Sequence, residues 1–246
     1  MVAKLERIFL ALGRFFFKYR NGLFPVFCLG LLAFTRPGLL WGNAQLDKYT
    51  SALGVLLALA GQAFRILVIG FAYIVRGGRG GKVYAEDLVQ SGFYAHTRNP
   101  MYVGNYLIVT GIALLYGSIW VCAIALPLFA VIYLSIIKNE ETYLQEKFGQ
   151  EYHDYAARVN RFLPNFKGLR HSLQQYNYDW KKVLRKEYGT IALLLTSILA
   201  LLIWKALTVA EVAGGNGKAG TLALGFVPIA LFYGTVRFLK KTGRLG

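Results

Sequence analysis

Arg98-Asn99-Pro100-Met101-Tyr102-Val103-Gly104-Asn105-Tyr106 leads into an apolar run, Leu107 to Ile137, broken near its middle by Tyr116-Gly117-Ser118 and ended by Asn139-Glu140-Glu141. Residues 103 to 137 suit two membrane helices of about 17 residues each, joined by a tight turn; about 17 is the lower limit for a span. Such a hairpin leaves one membrane face and returns to it. Arg98 to Tyr102 and Glu140-Glu141, remote in sequence, are therefore expected to meet and form a site.

The chain of 246 residues is 56% hydrophobic and carries several apolar runs of membrane length, which marks an integral membrane protein. Its formal charge of +16 would suit nucleic acid if the basic residues lay on a folded polar domain. They stand instead between and beside apolar runs, the pattern of topology control and of contact with anionic membrane lipids. No nucleic-acid partner is expected. Cys28 and Cys122 lie inside apolar runs and read as small buried hydrophobes, not as metal ligands or a disulfide. The N-terminus shows no cleavable signal pattern.

The expected fold class is all-α: a polytopic integral membrane helical bundle of about six transmembrane helices, plus amphipathic surface helices. Residues 1–21 place Lys4, Arg7, Arg14 and Lys18 on one face of an in-plane surface helix. Residues 22–166 form the core. Its first span is about Leu23 to Trp41 and its second about Ala52 to Val75, with Gln62 and Arg65 near the middle. A loop containing Gly77-Gly78-Arg79-Gly80-Gly81 follows, read as a flexible linker, and then the hairpin. Residues 167–246 add a basic amphipathic stretch and spans near 188–207 and 221–239. Counting Lys and Arg loop by loop places both termini in the cytoplasm, with the site on the same side.

Arg65 is the costliest residue, since a cation near the bilayer centre costs about 2.5–3.5 kcal/mol on insertion scales. Two readings stand: a structural pair with a carboxylate, or an anchor for an anionic group of substrate or cofactor. Glu140 reads as a ligand opposite the cationic loop at Arg98, Glu141 as solvated. Leu144, Phe148, Tyr152, Tyr155 and Val159 keep helical spacing and read as a packed face covering the site. Arg158 and Arg161 read as membrane-surface charges. His96, His153 and His171 are scattered, without metal-ligand spacing, and read as surface residues.

Leu88-Val89-Gln90-Ser91-Gly92-Phe93-Tyr94, with Arg98-Asn99-Pro100-Met101-Tyr102-Val103-Gly104, resembles the "L-V-x-S-G-x-Y … R-H-P-x-Y-x-G" signature of isoprenylcysteine carboxyl methyltransferases, much of it shared with phospholipid methyltransferases. Glu140-Glu141, Phe148-Gly149-x-Glu151-Tyr152, Arg158-Val159 and Arg161-Phe162-Leu163-Pro164 continue the match, and Gly61 with Arg65 is similar to a Gly-x-x-x-Arg pair of bacterial members. The resemblance covers roughly residues 52 to 166. It implies a membrane-embedded enzyme using S-adenosylmethionine from the cytoplasm, in bacteria at the plasma membrane, and an isoprenoid or lipid acceptor from the bilayer. Carried over by position, the cofactor contacts are Glu86, Asp87, Leu88, Val89, Tyr94, Asn99, Pro100, Met101, Tyr102 and Glu140, with Arg79. The residues nearest the chemistry are Arg98, Glu140 and Arg65.

The family's His before Pro is Asn99 here, and the Arg that the isoprenylcysteine branch places one turn before its Glu is Ile136. A carboxylate, an amine or another lipid acceptor therefore stays open, as does the oligomeric state. Two other readings remain: an NADPH-dependent membrane sterol reductase-like enzyme, with Arg79, Lys82 and Arg98 facing phosphates, and a non-catalytic lipid-binding membrane protein. Pro100 and the complete Glu140 to Pro164 block favour the methyltransferase.

Overall fold

The computed structural model describes residues 2–71, 76–79, 82–174, 176–213 and 217–245. It is an all-α membrane bundle. Its helices are α1 (Val2–Phe34), α2 (Ala44–Phe71), α3 (Pro100–Tyr116), α4 (Ile119–Phe148), α5 (Gln150–Arg158), α6 (Leu169–Gln174), α7 (Trp180–Ala213), α8 (Gly217–Ala223) and α9 (Phe226–Lys241). A small antiparallel hairpin, β1 (Arg76–Arg79) with β2 (Lys82–Ala85), and a 3-10 turn at Gly92–Ala95 join α2 to α3.

Among the described residues, four stretches are long and apolar enough to cross a bilayer: Ala44–Phe71, Ile119–Phe148, Trp180–Leu207 and Ala219–Lys241. The expectation of six is corrected to four. Pro100–Tyr116 has only 17 residues and Gly22–Phe34 is also short; at 1.5 Å per residue, 17 positions reach about 26 Å against a core of about 30 Å. The separate surface helix and first span also merge, since α1 is unbroken from Val2 to Phe34. Gly77 and Gly78, expected in a flexible linker, pair with Tyr84 and Val83 in the hairpin. Gly80 and Gly81 lie outside the described residues.

Local chemistry sets the helix ends. Asn43 caps α2, its Oδ1 accepting the backbone N–H groups of Gln45 and Leu46 at 2.9 and 3.0 Å. Pro100 occupies the first position of α3, where a missing N–H costs nothing. Gly117 turns the chain between α3 and α4 at φ +74°, a conformation that strains any side chain with a Cβ.

By packing, the chain divides into two compact units. The first comprises residues 1–34, 71–103 and 127–177. In it, Phe17 of α1 packs on Ile132 and Ile136 of α4, with Val83 and Tyr102 against them. A second cluster joins Ala85, Leu144, Tyr152 and Tyr155, with Leu88, Phe148 and Val159 around it. The residues at helical spacing from Leu144 to Val159 thus do form one packed face.

The second unit comprises residues 35–70, 104–126 and 178–246. There α2 and α3 cross antiparallel on glycine. A methyl group on Gly61 would lie 2.6 Å from the Gly104 carbonyl oxygen, and one on Gly54 would lie 2.6 Å from that of Gly111. Such approach of two backbones is how small residues bring membrane helices together, where no hydrophobic effect drives association.

In the same unit α2 and α7 are joined by two buried ion pairs of opposite sense. Arg65 of α2 meets Glu187 of α7 at 2.6 Å, and Asp47 of α2 meets Lys205 of α7 at 2.8 Å. Asp47 and Arg65 are 18 positions apart, as are Glu187 and Lys205. That is about five turns, or 27 Å, so each helix keeps both charges on one face, at a separation close to the roughly 30 Å thickness of a hydrocarbon core.

Candidate active site

In the first unit, the segments on either side of the α3–α4 hairpin meet as the sequence predicts. The Tyr102 hydroxyl donates to Glu140 Oε1 at 2.8 Å, and Tyr133 packs on the Tyr102 ring, centroids 5.6 Å apart. Glu140 is 8% exposed. It lies inside α4, which runs on beyond it to Phe148. No helix-end dipole therefore opposes these acids.

Glu141 is not solvated; it is 7% exposed. Both Nε and Nη2 of Arg161 donate to its carboxylate, the former at 3.1 Å, and Arg98 Nη2 stands 3.7 Å away. Arg161 is thus a structural partner, not a membrane-surface charge. A carboxylate taken out of water needs such charged donors.

These contacts stitch the Arg98 loop to residues 160–165. The Arg98 N–H donates to the Asn160 carbonyl at 2.9 Å, and Thr97 Oγ1 donates to the carbonyls of Arg161 and Phe162. Asn99 Nδ2 donates to the Arg161 carbonyl at 3.3 Å. His96, read as a surface residue, is buried: its Nδ1–H donates to the Asn165 carbonyl, and Nε2 faces Ser172 Oγ at 3.0 Å. Arg158 does lie exposed, donating to Gln90 Oε1 at 3.2 Å.

Arg98, Tyr102 and Glu140 are thus brought into one neighbourhood. Pro100 is fully buried and Met101 half-buried at the start of α3. Tyr94 is buried, and its carbonyl accepts the Tyr155 hydroxyl at 2.8 Å. Leu88 packs on the Tyr155 cluster and Val89 is half-buried beside it in sequence. Glu86 and Asp87 are exposed, with Glu86 Oε1 accepting the Tyr84 hydroxyl at 3.0 Å. Arg79 ends β1, and its side chain lies outside the described residues.

Arg65 belongs to the second unit. Its Nε and Nη2 donate to Glu187 at 3.0 and 2.6 Å, and Nη1 donates to Asn105 Oδ1. Gln62 Nε2 adds a bond to Glu187 at 2.9 Å. Glu187 was missed from the sequence. The signal available was its isolation: one acid among Lys181, Lys182, Arg185 and Lys186, directly before an apolar run. Cys28 is exposed and not the buried hydrophobe expected, while Cys122 is half-buried.

A separate groove of about 500 Å³ lies in the first unit, lined by Glu6, Leu10, Lys138, Thr142, Gln145, Glu146 and His153. Lys138 is two positions from Glu140, about 200° around α4. None of the candidate site residues lines it.

The donor set suits a ligand carrying both an ammonium and a carboxylate. Glu140 offers a buried carboxylate held by a phenol, Tyr102 and Tyr133 offer aromatic faces, and Arg98 offers guanidinium donors. Arg98 Nε is buried without a hydrogen-bond partner among the described residues.

Residues 49–151 match the family of phospholipid methyltransferases. The chain is 29% identical over 155 residues to the cobalt-zinc-cadmium resistance protein CzcN of Cupriavidus metallidurans, covering 63% of this chain and 68% of the relative. It is 30% identical over 161 residues to the nickel-cobalt-cadmium resistance protein NccN of Alcaligenes xylosoxydans xylosoxydans, covering 62% and 68%. It is 28% identical over 152 residues to the protein-S-isoprenylcysteine O-methyltransferase of Rattus norvegicus, covering 56% and 50%. No solved structure matches the chain.

Proposed function

The chain belongs to the isoprenylcysteine carboxyl methyltransferase / phospholipid methyltransferase family of integral membrane proteins, and from that premise we propose that it transfers a methyl group from S-adenosylmethionine to an isoprenoid or lipid-like acceptor. The observation that carries the reading is the Tyr102–Glu140 contact at 2.8 Å, which unites the two halves of the family signature around a buried carboxylate. When bound, S-adenosylmethionine supplies a methyl group on a sulfonium, open to in-line displacement by a nucleophile.

The chain's own residues would bind and orient. Glu140 would hold the cofactor's ammonium, and the Tyr102 hydroxyl fixes the direction of that carboxylate. Arg98, itself steadied by Glu141, would meet the cofactor's carboxylate. Ile136, buried in the cluster against which Tyr102 packs, would keep water from the neighbourhood. Most of the acceleration then comes from alignment of donor and acceptor, with no covalent enzyme intermediate. Ile136, in place of the Arg of the isoprenylcysteine branch, favours an acceptor that needs no cation beside it, such as an amine or another lipid.

Calorimetry of the purified chain with S-adenosylmethionine, S-adenosylhomocysteine and NADPH tests the reading. S-adenosylmethionine and its demethylated product S-adenosylhomocysteine should both bind, and Glu140→Gln should weaken them about tenfold or more, as loss of a desolvated charge partner does. Binding of NADPH alone would favour the reductase-like reading, and binding of none the lipid-binding one. A labelled-methyl assay on total lipid extract then identifies the acceptor.

A further inference from the structure

The end of the second unit where α7 begins and α9 finishes is strongly basic and falls outside the residues that match the family. Tyr188 of α7 and Tyr233 of α9 pack ring on ring, centroids 5.3 Å apart and 33° from parallel. Lys240 Nζ stands 5.2 Å over the Tyr188 ring and donates to the Arg185 carbonyl at 3.3 Å; Arg237 stands over Tyr233 at 5.8 Å. Two helix ends and their cations are thereby held together as one surface.

Acids are scarce along the two segments that form it. From Phe226 to Gly246 the chain has no acid, and on 177–188 only Asp179 and Glu187 occur. Asp179 accepts the Lys182 backbone N–H at 2.9 Å, and Glu187 is taken by Arg65. None of the described ion pairs includes Lys181, Lys186, Arg237, Lys240 or Lys241.

An apolar track leads up to Lys241 at the edge of this cluster. Val227, Leu231 and Phe238 are exposed by 57%, 65% and 58%, at helical spacing along one stripe of α9, and Lys241 is the next position on it. Gly234 falls on the same stripe with nothing within 4 Å of the place its Cβ would occupy, leaving a notch between Leu231 and Phe238. Clustered Lys and Arg at a membrane helix end attract anionic headgroups, and pockets between helices hold them. Aromatic rings favour the same depth.

We propose that the α7–α9 end is a binding site for the phosphodiester headgroup of an anionic phospholipid, with an acyl chain lying along the Val227–Phe238 stripe. Phosphate oxygens are met by Lys241 and Arg237, with Lys240 adding its charge from beside them on the Tyr188 ring, and the chain fills the notch at Gly234. The hydrocarbon track is what distinguishes this ligand from free phosphate, which offers nothing to an apolar stripe.

The test uses the full chain purified in mixed micelles of phosphatidylglycerol and phosphatidylcholine in equal amounts, with retained lipid quantified by mass spectrometry. The wild type should retain phosphatidylglycerol preferentially. The triple variant Arg237→Gln/Lys240→Gln/Lys241→Gln should lose that preference by about fivefold for each cation removed. The control Arg7→Gln/Arg14→Gln/Lys18→Gln, which removes the same charge from α1, should retain it. Lys240→Gln alone and the charge-keeping Lys240→Arg/Lys241→Arg bracket the result where the triple variant folds poorly. Equal retention by wild type and patch variant would overturn the site. So would equal losses in the two triples, which would mean attraction by net charge alone, or full displacement of the lipid by millimolar inorganic phosphate.

Discussion

Arg65 on α2 and Glu187 on α7 form a buried ion pair, Nη2 to Oε1 at 2.6 Å, with 12% and 4% of their side chains exposed. The contact explains how a cation is tolerated inside an apolar helix. It also ties α7, which lies beyond the matched residues 49–151, to a helix inside them. Of the two readings open for Arg65, the structural pair is the one whose partner is in place.

Removing one member strands the other. Arg65→Leu or Glu187→Gln should therefore destabilise the folded chain by about 3–5 kcal/mol. Replacing both with apolar residues, Arg65→Met/Glu187→Leu, should cost much less, because no uncompensated charge remains. Thermal unfolding in detergent, followed by circular dichroism, reads the difference; a double variant as unstable as the singles would contradict the argument.

The Asp47–Lys205 pair offers an additivity test. Lys205 Nζ donates to both Asp47 oxygens, at 2.8 and 2.9 Å, and to Ser51 Oγ at 2.8 Å. Lys205→Met should again cost about 3 kcal/mol or more. Because the two pairs stand about 27 Å apart along the helices, the losses in Lys205→Met and Glu187→Gln should add to within about 0.5 kcal/mol. Strong coupling in a double-mutant cycle would show that α7 moves as a lever between them.

The glycine crossing should be intolerant of side chains. Gly61→Val or Gly111→Val pushes a branched group into the opposing backbone, and each should destabilise by at least about 1–3 kcal/mol. Gly189→Ala on α7 meets nothing within 4 Å and should instead stabilise by about 0.5–1 kcal/mol. Equal responses at both sites would remove the case for close α2–α3 packing.

Adjacent acids should separate by readout. Glu141→Gln loses its charged contacts with Arg161 and Arg98 and should lower thermal stability and loosen residues 160–165, seen as faster amide exchange there. Tyr102→Phe removes the hydroxyl that donates to Glu140 and should weaken S-adenosylmethionine binding about tenfold, with a smaller loss of unfolding temperature than Glu141→Gln. An identical pattern from the two variants would mean that Glu140 and Glu141 serve one structural purpose.

Hydropathy, turn chemistry and a short motif are local properties, so the sequence by itself determined the membrane class, the α3–α4 hairpin and the meeting of Tyr102 with Glu140. A two-helix excursion must return near its start whatever surrounds it, which is why that neighbourhood was legible. Helix number was less so, because the apolar content of α1 and α3 says nothing of how far one unbroken helix extends. Partner choice was decided only by tertiary structure: Glu187 for Arg65, Lys205 for Asp47, Arg161 for Glu141, and the Asn165 carbonyl for His96. Each joins residues at least 20 positions apart, and the selection depends on which faces pack, a consequence of glycine crossings and five-turn spacing that no local window contains.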